Sequence, residues 1–72
     1  MAILYTHHAR ERMTLRRVTT NMVEETIFVP DVVEQEDNGK FRAFRRFPQG
    51  LLKVVYAVIG GDHLVVSTIW QE

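Results

Sequence analysis

The sequence predicts an α+β domain: two N-terminal helices packed on one face of a four-stranded antiparallel sheet, with Ile3-Leu4-Tyr5 available as a short extra strand. Three observations carry that expectation. Before Pro30 the apolar residues recur at helical spacing. After Pro30 they alternate or run on in β-branched stretches. That second half is punctuated by Asn38-Gly39, Pro48-Gln49-Gly50 and Gly60-Gly61-Asp62, the residue types that turn a chain back on itself.

Taken in order, Ile3-Leu4-Tyr5 is an apolar run of edge-strand length. Thr6 offers a capping hydroxyl, and from His7 to about Leu15 the residues Ala9, Met13 and Leu15 form a sparse apolar stripe among arginines, which predicts a first helix. In "RRVTTNMVEETIFVP", Thr19 or Thr20 can cap a second helix, and Met22, Val23, Thr26 and Ile27 are spaced for its buried stripe. Glu24 and Glu25 occupy early turns, where the helix dipole favours acids, and Pro30 ends the helix. "DVVEQED" predicts a strand, and Asn38-Gly39 suits a two-residue hairpin turn. "KFRAFRRF" follows, with Phe41, Ala43, Arg45 and Phe47 on one face and Lys40, Arg42, Phe44 and Arg46 on the other. "LLKVVYAVI" reads as a central strand and "HLVVSTIW" as its partner. Leu52, Val54, Tyr56 and Val58 share one side of the central strand. Lys53 marks the opposite side, with Leu51, Val55, Ala57 and Ile59, as the open one, and its apolar remainder would need cover, for example from a partner subunit.

Seventy-two residues lie near the lower limit for a single self-sufficient core. With no cysteine there is no disulfide framework, thiol nucleophile or zinc-thiolate site, so packing or a homodimer must supply stability. No apolar run is long enough to cross a membrane, and residues 1–5 are too short for a secretory signal, so a cytoplasmic protein is expected. The formal charge is zero, which disfavours nucleic-acid binding by bulk charge, but the distribution is blocked. Arg10, Arg12, Arg16 and Arg17 precede an acidic stretch with Glu24, Glu25, Asp31, Glu34, Glu36 and Asp37; Lys40, Arg42, Arg45, Arg46 and Lys53 then form a second basic block. These blocks can either build a bipolar surface or neutralise one another across elements.

His8 and Arg12, four residues apart, share a helix face. The pair can serve a phosphodiester, the imidazole moving a proton and the guanidinium holding phosphate oxygens, or it can be an ordinary helix surface bonding to backbone and water. His7 points elsewhere. His7, His8 and His63 lack the spacing that anchors a metal, so neither metal nor cofactor is expected. Arg45 and Arg46 point to opposite faces of their strand, so at most one belongs to a site on the open sheet. Phenylalanine interleaved with these arginines suits either nucleic-acid stacking or a plain core-facing strand.

"HARERM", "LRRVTTNMVEETIFVPDVV", "LLKVVYAV" and "VVSTIW" together resemble the uncharacterised family numbered 4258 among domains of unknown function, over nearly the whole chain. The matching positions are His8 and Ala9, Arg12 and Met13, Arg16, Pro30, and Thr68 with Trp70. That family is similar in fold to the RelE/ParE-like toxins, many of which are metal-independent ribonucleases. The resemblance implies a toxin-type ribonuclease with RNA or the ribosome as target and an antitoxin protein as partner. His8 would be the acid or base, Arg12 with Arg45, Arg46 or Lys53 would hold phosphate oxygens, and Thr68 would orient the substrate. The alternative is a non-catalytic module of the same fold that binds protein or nucleic acid. One departure bears on geometry: "LRRV" stands where the family commonly has an arginine-glycine pair, which opens the turn between the helices to change.

Overall fold

The computed structural model describes residues 2–71, so Met1 and Glu72 lie outside it. The chain begins with β1 (Ile3–Tyr5), continues through α1 (His7–Arg16) and α2 (Thr20–Phe28), and then lays down β2 (Val32–Gln35), β3 (Lys40–Phe47), β4 (Gly50–Ile59) and β5 (Asp62–Gln71). The sheet order is β1-β5-β4-β3-β2.

The antiparallel meander of four strands is present as β2 to β5, but the sheet is mixed and has five strands, because β1 pairs parallel to β5 through Ile3↔His63, Leu4↔Leu64 and Tyr5↔Val65. A parallel pair cannot be closed by a tight turn; both helices and the rest of the meander form the crossover. A three-residue apolar run does not reveal its direction, which is why the sequence placed the strand without its pairing.

Both helices are capped as their sequences require. Thr6 Oγ1 accepts from the Ala9 N–H at 3.0 Å, and Thr19 Oγ1 accepts from the Met22 N–H at 3.1 Å, so Thr19 rather than Thr20 is the second cap. α1 ends with the Val18 N–H donating to Met13 O and the Arg17 N–H to Thr14 O, while Arg17 takes the left-handed conformation at φ 57°. This is a Schellman closure, completed by the burial of both Val18 and Met13. The arginine of "LRRV" thus adopts the conformation that glycine favours.

The Asn38-Gly39 turn is one residue longer than expected. Asp37–Gly39 form a short 3₁₀ turn, with Asn38 at φ 70° and Gly39 at φ 74°, and the Glu36 N–H donates to Lys40 O. The β4–β5 hairpin has the two-residue form, Gly60 and Gly61 both at positive φ between paired Ile59 and Asp62.

The core lies between the helices and one face of the sheet. Ala9 and Met13 from α1, Val23, Thr26 and Ile27 from α2, and Ala43, Leu52, Val54, Tyr56 and Val65 from the strands are buried. Alternation in β3 and β4 therefore runs as the sequence indicates, with Lys53 on the opposite face. In β5 strict alternation fails. Val65 and Thr68 are both fully buried because a bulge shifts the register between Val55↔Ser67 and Tyr56↔Val65.

Candidate functional site

α1 buries Ala9 and Met13, which turns His8 and Arg12 outward together, and both are exposed. Neither side chain makes a hydrogen bond or ion pair among the described residues. A shallow depression beside them is lined by Glu11, Arg12, Thr14 and Leu15, with no residue from the sheet. His7 is held by Glu11, Nε2 to Oε2 at 3.1 Å.

The other residues singled out in sequence are distributed over three further places. Thr68 is fully buried, its hydroxyl without a partner among the described residues, and its carbonyl accepts from Arg16 Nη1 at 2.6 Å. Trp70 Nε1 donates to Arg16 O at 2.9 Å, so Arg16 fastens the end of α1 to β5. Arg45 lies on the helix side, as its alternation with Ala43 requires, and its guanidinium donates to Val29 O at 2.7 Å and pairs with Glu25 at 3.3 Å. It ties the end of α2 to β3. Arg46 and Lys53 belong to the open face, where Arg46 is paired in register with Leu51, and Lys53 with Phe44 and Ile69. The sheet itself therefore separates Lys53 and Arg46 from His8 and Arg12. The structure brings His8 to Arg12, and Arg46 to the face that carries Lys53, but not one pair to the other.

What the sequence left unresolved is the extent of the open face. Cross-strand register places Leu4, Leu64 and Ala57 in one row, and Ile69, Lys53, Phe44 and Val32 in another. Both helices pack on the opposite side, and no other element of the described residues covers these rows. Leu4 and Val32, at its two edges, are each about half exposed. Only the register, which pairs residues up to 60 positions apart, could reveal this surface.

A second arrangement was also missed. His63 sits 5.1 Å from the Tyr56 ring and 6.0 Å from Phe28, and the Arg10 guanidinium lies 4.8 Å over the Tyr5 ring. Burial raises the pKa of Tyr56 above the ordinary tyrosine value; for Tyr5 burial is the main cause, with the Glu24 charge adding to it and Arg10 opposing. Both phenols are thus held neutral, suited to packing rather than to proton transfer. Among the described residues no three histidine or acidic side chains gather as a metal ion would need.

Among the described residues no helix is long and apolar enough to cross a membrane. No curated protein and no solved structure matches the chain. A family model described as Domain of unknown function (DUF4258) matches residues 5–71, from the end of β1 to the end of β5, and the chain belongs to that family.

Proposed function

We propose that this protein is a non-catalytic interaction module that docks a protein partner on the open face of its sheet. The observation that carries the reading is that no element of the described residues covers this face, where the rows Leu4-Leu64-Ala57 and Ile69-Lys53-Phe44-Val32 flank a more polar row of Ser67, Val55, Arg42 and Glu34, because uncovered apolar surface bordered by polar residues marks interaction sites on small soluble domains. A sheet covered on one side only also offers a rigid platform, so little ordering entropy is lost when a partner binds. The test is binding of a labelled peptide of alternating leucine and serine, followed by fluorescence anisotropy. Binding that is lost in Val55→Asp, kept in Leu15→Asp and accompanied by an unchanged melting temperature supports the reading; equal binding by both variants rejects it.

One observation favours a second reading, a RelE/ParE-like ribonuclease. His8 and Arg12 stand exposed on one helix face with free polar atoms, the arrangement an acid or base and a phosphate clamp would take. In that reading the 2′-hydroxyl attacks the neighbouring phosphorus, the 5′-oxygen leaves, and a 2′,3′-cyclic phosphate forms. RNA cleavage by purified protein, with and without ribosomes, that disappears in His8→Ala would establish it, whereas cleavage unchanged in the variant would remove His8 from the mechanism.

A further inference from the structure

We infer that the occupant of the open face is an acidic amphipathic segment of another protein, with a carboxylate that meets Lys53; the inference rests on the docking reading above. Lys53 lies in the interior of β4, paired in register with Phe44 on β3 and Ile69 on β5, with the cations Arg42 and Arg46 at the diagonal positions of β3. It has no ion-pair partner among the described residues, and neither have Lys40 and Arg46 on the same face. The acids on this side are already engaged. Glu34 and Glu36 hold Arg42 at 3.1 and 3.4 Å, and the Asp62 carboxylate accepts from the Ala2 N–H at 3.0 Å. This side therefore carries four cations, Lys40, Arg42, Arg46 and Lys53, against three carboxylates, Glu34, Glu36 and Asp62, a small positive excess in which Lys53 stands outside any ion pair among the described residues.

That charge selects among occupants. A second copy packed by this face about a two-fold axis would bring three unpaired cations, Lys40, Arg46 and Lys53, and a single carboxylate outside an ion pair, that of Asp62, so it matches Lys53 less well than an acidic segment does. A segment with leucine-like residues for Phe44, Ile69 and Val55 and a carboxylate for Lys53 satisfies both features at once. A nucleic acid would supply the negative charge but would leave the aliphatic rows without apolar partners, since Phe44 is the one aromatic ring that the register puts there.

The experiment uses the whole protein with four labelled probes: peptides alternating leucine with glutamate, lysine or serine, and a ten-nucleotide oligouridine. Anisotropy is read for wild type, Lys53→Glu and Lys53→Met, and light scattering gives the mass. The expected result is that the glutamate peptide binds about tenfold tighter than the serine peptide, that Lys53→Met removes this preference, and that Lys53→Glu transfers it to the lysine peptide. Equal binding of all three peptides would overturn the acidic partner while leaving the docking reading in place, whereas binding of none would remove both. Tightest binding of oligouridine, or a wild-type dimer that Val55→Asp dissociates, would overturn the inference in favour of RNA or of a second copy.

Discussion

At the scale of single residues, two side chains occupy places that their chemistry does not favour, and each yields a measurable expectation. Arg17 holds a left-handed conformation that costs a residue with a Cβ about 1 kcal/mol or more, because the Schellman closure of α1 demands it. Arg17→Gly should therefore stabilise the protein by about 1 kcal/mol, seen as a rise in Tm of about 4–8 °C. Thr68 buries a hydroxyl without a partner where a methyl group would fit the same shape. Thr68→Val should raise stability by about 1 kcal/mol in denaturant unfolding, and the same variant should leave any RNA cleavage unaltered, since the hydroxyl has no route to a substrate at the surface. The family resemblance implied a substrate-orienting role for Thr68, and a hydroxyl among apolar neighbours carries no sign of its direction that could correct it. The bulge decided that, and a bulge is a property of two strands.

At the scale of elements, the helices were legible because their signals are local. Thr6 and Thr19 stand immediately before apolar stripes, Pro30 follows the second, and the caps form where these residues lie. Thr19→Ala should cost about 1 kcal/mol by removing the acceptor for the Met22 N–H, a loss that chemical denaturation would register. The strands were legible as segments but not as a sheet. Alternation in β4 correctly separated Leu52, Val54 and Tyr56 from Lys53, since period two survives wherever a strand is regular. It failed in β5, where the bulge falls between Val65 and Ser67 and neither the two adjacent valines nor the two adjacent hydroxyl residues of "LVVSTIW" show which of each pair faces inward. It was silent on β1, whose parallel pairing joins residues about 60 apart. For the same reason the candidate site residues could be named while their separation could not: Arg45 and Arg46 were recognisable as pointing to opposite faces of β3, but which of them faces the helices, and the capture of Arg45 by Val29 O and Glu25, depend on where α2 ends.

For the whole molecule, the charge blocks neutralise one another only in part. The acidic stretch neutralises part of the second basic block through Arg42 with Glu34 and Glu36 and through Arg45 with Glu25. The first basic block stays largely open on α1, where Arg12 and Arg17 are exposed and without ion pairs among the described residues. Such partly exposed pairs contribute little each, and the fold rests on the single core between helices and sheet. Two raised phenol pKa values set its alkaline limit. Because Tyr5 and Tyr56 bind their protons more tightly folded than unfolded, stability is full below the ordinary tyrosine value of 10.0 and falls as pH rises through the folded values. Tyr5→Phe should flatten that fall in melting temperatures recorded across the alkaline range.

The central claim is that the working surface is the sheet face away from the helices. Methyl-resolved NMR during titration with the leucine-serine peptide tests it most directly. The account predicts shifts at Leu51, Val55, Leu64 and Ile69 with Leu15, Val23 and Ile27 unmoved, whereas shifts confined to α1, or none at saturating peptide, would contradict it.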